Sequence, residues 1–111
     1  MMTKSGTPKA MKMMINGEEV EVKGEEILHH NTLGVEVGTN CPKGGDTGHG
    51  SRTYLKIEDL GSTDIEVNLI RDDFRETKGF ELFLGGDAEY YTLIQALEFA
   101  VDELKKATKE N

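Results

Sequence analysis

The dipeptide Asn16-Gly17 constrains the fold of this chain more than any other feature of its sequence. It stands between two runs in which apolar and polar residues alternate, residues 11–15 and 18–23. Asn-Gly between such runs is the strongest short-range signal for a β-hairpin, because a type I′ turn requires positive φ at both central residues. The sequence therefore predicts an antiparallel hairpin over residues 11–23, which Gly24 ends.

The same alternation recurs further along the chain, at residues 33–39, 52–58, 64–70 and 79–84. It is typical of antiparallel strands that have one covered face and one solvated face. The predicted fold class is α+β, with an antiparallel sheet of five to six strands. The strand side chains predicted to be mostly buried are Leu55, Ile57, Val67 and Leu82.

A helical repeat of apolar residues follows Gly85-Gly86-Asp87, in which Asp87 is a good N-cap. The residues of this repeat are Tyr90, Ile94, Leu97, Val101 and Leu104. Their spacing predicts one long C-terminal amphipathic helix, residues 88–108, packed on one face of the sheet, with Leu93, Leu97, Val101 and Leu104 buried. Phe99 falls outside the repeat, so we predict that it lies opposite the core as a candidate subunit contact.

Length and composition limit what the chain can do. Its 111 residues predict a flexible tail at residues 1–10 and a single domain at residues 11–109. A net charge of −8 opposes binding to nucleic-acid polymers and to anionic membranes. The hydrophobic fraction of 36% is low, and thin cores are often supplemented by self-association, so we predict a homo-oligomer.

The single cysteine, Cys41, indicates the compartment. It cannot form an internal disulfide, which fits a reducing environment. The chain contains no apolar run long enough to span a membrane, and residues 1–10 lack the apolar segment of a secretory signal. These features predict a cytoplasmic protein.

Residues 40–50 break the strand periodicity with the sequence NCPKGGDTGHG. Glycine clusters let backbone N–H groups converge on an anion, and Arg52 at the next strand would add a bidentate donor. We therefore predict a site for a small phosphorylated ligand. Its residues are Lys43, Gly44, Gly45, Asp46, Thr47, Gly48, His49, Ser51 and Arg52. The alternative, a loop that only connects two strands, stays open.

Two other chemistries are conceivable at this loop. His29, Asp46 and His49 could ligate a metal, but no paired ligand spacing is present, and His30 would point away from His29 on a strand. Cys41 could act as a nucleophile with His49 as its base, although one loop is a poor scaffold for such geometry. We predict no metal, no cofactor and no catalytic residue, and keep a small metal- or cysteine-dependent enzyme as an alternative.

A family resemblance rests on the run TNCPKGGDTGHGSRT at residues 39–53 and on LGGDAE at residues 84–89. These runs resemble a family of small uncharacterised bacterial and bacteriophage proteins. In size, acidity and loop the chain is also similar to phage sponge proteins, which assemble into oligomers and sequester nucleotide immune signals. The resemblance implies a non-enzymatic, oligomeric binder of a nucleotide or cyclic nucleotide with a phage anti-defence role in the host cytoplasm. An acidic protein–protein inhibitor or adaptor is the alternative.

Overall fold

The computed structural model describes residues 3–4, 9–28, 32–42, 50–61 and 63–110. Within them it confirms the predicted α+β class, with antiparallel strands and one long C-terminal helix. The elements are β1 (Thr3–Lys4), β2 (Lys9–Ile15), β3 (Glu18–Leu28), β4 (Thr32–Thr39), β5 (Thr53–Gly61), β6 (Ile65–Arg71), β7 (Thr77–Leu84) and α1 (Asp87–Glu110).

The main sheet contains five of these strands. Both β1 and β2 pair with β3, which is followed by β4 and β5. The predicted hairpin is confirmed, and its turn has positive φ at Asn16 (49°) and Gly17 (84°). The hairpin ends at Gly24 as predicted, where Lys9 and Gly24 form its last pair, although β3 itself continues to Leu28 in its pairing with β4. Parts of the predicted N-terminal tail, β1 and the start of β2, also pair with β3.

Strands β6 and β7 form a separate two-stranded sheet, which we call the arm (residues 65–84). The sequence predicted one sheet, but a hydrogen-bonded turn redirects the chain between β5 and β6. The Asp59 carboxylate accepts hydrogen bonds from the N–H groups of Gly61 (2.8 Å) and Thr63 (3.1 Å). The Thr63 hydroxyl donates to the carbonyl of Thr32 (3.0 Å). These bonds fix the point at which the arm leaves the main sheet.

The hydrophobic core lies between α1 and the face of the main sheet formed by β3 and β4. The buried residues of this cluster are Ile27, Leu33, Val35, Val37, Ala96, Phe99 and Ala100. Ile57, Ile65 and Leu104 pack against it from the edges. Among the described residues of the arm, Ile65 at its base packs against this cluster.

The helix packs on the sheet through a different face from the predicted one. Phe99 is 2% exposed, whereas Leu97 is 44% exposed and Val101 is exposed as well. The predicted burial of Leu97 and Val101 and the predicted exposure of Phe99 are therefore wrong. The small side chains of Ala96 and Ala100 accompany Phe99 and let the helix approach the sheet closely.

Two strand residues predicted to be buried are exposed. Leu55 lies on β5, beyond the strands that α1 covers, and Val67 lies on the arm. The other predicted core residues, Ile57, Leu82, Leu93 and Leu104, are half-buried. The core is therefore narrower than the sequence pattern indicates, since α1 covers β3 and β4 but not the full set of alternating strands.

Candidate functional site

The predicted ligand loop is closed at its base by Asn40 and Arg52. The side-chain oxygen of Asn40 accepts a hydrogen bond from the Arg52 N–H (2.8 Å), and the Asn40 N–H donates to the Arg52 carbonyl (3.3 Å). The hydroxyls of Thr39 and Thr53 join the strand ends by a hydrogen bond of 3.0 Å. Seven of the predicted site residues lie outside the described part of the chain: Lys43, Gly44, Gly45, Asp46, Thr47, Gly48 and His49. Their ligand-binding role stays a prediction.

Arg52 uses its guanidinium on backbone carbonyls. It donates from Nη1 to Gly50 (2.9 Å) and Ser51 (3.4 Å), and from Nη2 to Asn16 in the hairpin turn (3.4 Å). Its Nε is buried and has no hydrogen-bond partner among the described residues. Arg52 therefore links the end of the loop to the β2–β3 turn. A ligand clamped by both Nη groups would have to replace these contacts.

The metal and cysteine hypotheses depend largely on residues that the structure does not describe. His29, His30, Asp46 and His49 all lie outside the described ranges. Within those ranges, no group of three His, Cys, Asp or Glu side chains is placed to hold a metal ion. Cys41 is half-buried and forms no disulfide, and its N–H donates to the Thr39 hydroxyl (3.1 Å). Both chemistries therefore stay alternatives to ligand binding at this loop.

A cavity of about 260 Å³ opens on the main-sheet face opposite α1, with Gly24 and Gly34 in its lining. Its lining holds four glutamates and two lysines, and Lys56 Nζ lies 3.5 Å from Glu36 and 3.2 Å from Glu58. The hydrogen bond to Glu58 and the charge of Glu36 raise the pKa of Lys56. This surface is net acidic and therefore offers little to a phosphate.

The outer surface of α1 carries a second apolar face, which we call the helix stripe: Tyr90, Ile94, Leu97 and Val101. The last three are four, seven and eleven positions from the first, so all four share one side of the helix. Ile94 is half-buried and the others are exposed. The helix stripe belongs to the pattern that the sequence assigned to the core, but none of its four residues is part of the core cluster between α1 and the sheet.

The arm has an apolar face of its own. In the antiparallel register, Ile65 lies opposite Leu84, Val67 opposite Leu82, and Leu69 opposite Phe80. Directly paired residues point to the same side of a sheet, and alternate residues share that side. These six residues therefore form one continuous surface, which we call the arm face. Val67, Leu69 and Phe80 are exposed on it, and Phe80 retains 58% of its accessible surface.

The opposite side of the arm is mixed in character. Glu66 lies opposite Phe83, and the Asn68 amide donates to Glu81 across the strands (2.8 Å). Phe83 is 52% exposed, close to the value for Phe80, but it points the other way. The two phenylalanines thus offer a matched comparison of the two sides.

Sequence reasoning missed the arm face and the helix stripe as candidate binding surfaces. It identified their residues by periodicity but assigned them all to the core. One signal in the sequence could have revealed them. The chain has six alternating strand segments and a single helix with two adjacent apolar sectors, and one helix cannot cover the apolar faces of all six segments.

Comparison with models of protein families, with curated proteins and with solved structures finds no match in any of the three. The resemblance to small bacterial and phage proteins therefore stays a prediction. Within the described residues, no helix combines the length and apolar character needed to cross a membrane.

Proposed function

We propose that this chain is a non-enzymatic protein-binding module, whose binding surface consists of the arm face and the helix stripe. The observation that carries the proposal is the arm face, a continuous row of six apolar side chains with exposed residues at its centre. Contiguous apolar patches of more than a few hundred Å² mark interaction sites on monomeric proteins. This corresponds to the adaptor or inhibitor class that the sequence left as its alternative.

The stability of the arm supports the same function. A two-stranded hairpin is marginally stable in water unless a helix or a further strand covers its apolar face. Beyond its base, where Ile65 packs against the core, no described element covers the arm. A bound protein would supply this missing layer, so binding and ordering of the arm would be coupled.

The test is site-specific photo-cross-linking in the cell that makes the protein. A photoreactive phenylalanine analogue replaces Phe80 in one variant and Phe83 in the other. We expect a discrete adduct from position 80 and none from position 83, with the joined peptides identified by mass spectrometry. Equal labelling at both positions, or no adduct at position 80, would contradict the proposal.

A second candidate function is the binding of a small phosphorylated ligand at residues 43–52, with the phage anti-defence role that the resemblance implies. The observation that favours it is Arg52 Nε, a buried donor at the loop with no partner among the described residues. Buried donors without partners are rare, because each one loses its hydrogen bond to water. Calorimetry against nucleotides and cyclic nucleotides tests this candidate independently of the arm.

A further inference from the structure

The arm face and the helix stripe match each other in length and in chemistry. Between positions 90 and 101 the helix stripe rises about 16 Å, at 1.5 Å per residue. From Ile65 to Leu69 the arm face extends about 14 Å, at 3.4 Å per residue. Both surfaces are apolar, and a helix laid on a strand pair is the arrangement that each copy already uses in its core.

Charges of opposite sign without ion pairs lie beside the two surfaces. At the end of the arm, where Asp72, Asp73 and Glu76 also lie, Arg71 and Arg75 form no ion pair within the described chain. The shallow groove that Leu97 and Val101 form on α1 is bordered by Glu98, Asp102 and Lys105. Asp102 is paired with Lys106 (3.3 Å), whereas Glu98 forms no ion pair within the described chain. Contacts between these groups would fix the orientation of the arm on the helix.

The two surfaces of one copy do not cover each other. The base of the arm is held at the N-terminus of α1, where the Asp64 N–H donates to Glu89 Oε2 (3.1 Å) and the Gly85 N–H donates to the Asp64 carbonyl (3.0 Å). From this junction, both the arm face and the helix stripe remain open. One copy therefore presents both halves of a contact that it does not make with itself.

Building on the proposed function, we propose that the partner is a second copy of this chain, in a two-fold dimer in which the arm of each copy packs across the helix stripe of the other. Each α1 then lies between its own main sheet and the partner's arm. The contact between arm face and helix stripe then occurs twice, related by the two-fold axis. This makes a closed, isologous interface, the commonest kind in soluble homo-oligomers.

The exposed apolar area is a large part of what such a dimer needs. Eight large side chains contribute: Val67, Leu69, Phe80, Leu82, Tyr90, Ile94, Leu97 and Val101. Phe80 and Tyr90 each keep 58% of their accessible surface and the other six are smaller, so together they present on the order of 500 Å² per copy. Polar groups around the two surfaces would complete the share of about 800 Å² that each partner contributes to a standard stable interface.

The first experiment measures the mass of the full chain by light scattering and sedimentation over a range of concentrations. We expect a species of twice the 12.3 kDa chain mass. Phe80→Lys and Leu97→Glu should each weaken the dimer by about tenfold or more, because each buries a charge in the middle of the contact. The matched control Phe83→Lys places the same charge on the opposite side of the arm and should leave the dimer unchanged.

The second experiment mixes the two interface variants. In the mixed dimer one contact is unaltered, and the other places the new lysine at position 80 against the new glutamate at position 97. We therefore expect the mixture to dimerise more strongly than either variant alone, with the main-sheet fold of both variants verified by circular dichroism.

The outcomes separate this inference from the proposed function. A dimer in the mixture but not in either single variant supports the reciprocal contact. No recovery on mixing would overturn it. A monomer at every concentration would overturn the second copy as partner, while a discrete adduct with a different protein at position 80 would still support a binding module.

Discussion

Alanine substitution at Phe99 and at Leu97 gives the sharpest test of which face of α1 packs on the sheet. Phe99 is among the largest fully buried side chains of the described core, whereas Leu97 keeps 44% of its surface in contact with solvent. Sequence periodicity alone predicts the reverse. The two substitutions Phe99→Ala and Leu97→Ala therefore distinguish the observed orientation of α1 from the orientation that sequence periodicity predicts. Each substitution replaces a large apolar side chain by the same small one.

The expected magnitudes follow from burial. Replacing a fully buried Phe by Ala costs about 3–5 kcal/mol, because apolar contact is lost and a cavity remains. Fully burying a Leu side chain contributes about 1.5–3 kcal/mol, so a half-exposed Leu97 should contribute about 1 kcal/mol. A domain of this size has about 5–15 kcal/mol of total stability, so Phe99→Ala removes a large part of it.

The assay is urea unfolding followed by circular dichroism, in dilute solution where copies are separate. We expect the midpoint for Phe99→Ala to fall far more than that for Leu97→Ala, with the slope m unchanged in both. At high concentration the cost of Leu97→Ala should grow, because it then also weakens the dimer, while the cost of Phe99→Ala should stay constant. If Leu97→Ala is as costly as Phe99→Ala in dilute solution, the orientation of α1 described above is refuted.

Three further predictions concern the main sheet and the loop. Gly38→Ala should lower the free energy of unfolding, measured in urea, by about 1–3 kcal/mol, because an added Cβ would meet the Glu21 carbonyl. The control Gly79→Ala should cost less, since its Cβ would make only an ordinary contact with Ile70 at 3.7 Å. Equal losses of stability in the two variants would refute this. Burial, and after it the charge of Glu36, raises the pKa of the Tyr54 phenol. The neutral phenol therefore contributes its full stabilisation below about pH 10, and this contribution is lost as the pH rises further. The difference between the absorbance titrations of the parent and of Tyr54→Phe should have its midpoint above about pH 10. Arg52→Ala should weaken binding of any nucleotide that the parent holds by about 1.5–3 kcal/mol in calorimetry, and unchanged affinity would place the site elsewhere.

The elements of this fold are predictable from sequence because their signals are local. The Asn16-Gly17 turn requires only two residues with positive φ, and strand alternation requires only a covered face. No local sequence signal determines which face of α1 packs on the sheet. Phe99 and Leu97 belong to two adjacent apolar sectors of the helix, and periodicity does not say which sector meets the sheet. In the structure it is the sector of Phe99, which includes the small residues Ala96 and Ala100, that meets the sheet.

The division into two sheets has a similar explanation. Strands 64–70 and 79–84 are predicted with errors of one or two residues at their ends, since alternation defines them. Their separation from the main sheet depends on the bonds made by Asp59 and Thr63, which connect residues up to 31 positions apart. The candidate loop was found by its glycines, but the arm face and helix stripe were not, because exposure of an apolar pattern is a property of the tertiary structure.

Glu89 gives the junction between arm and helix a mechanical role. Its carboxylate sits in the first turn of α1 and accepts the hydrogen bond from the Asp64 backbone, just before the arm begins. The arm is held at two places, by this bond to the first turn of α1 and by the bonds of Thr63 to Asp59 and to the Thr32 carbonyl on the main sheet. Tension applied to the arm would therefore load the N-terminal turn of α1 and the end of β5 together.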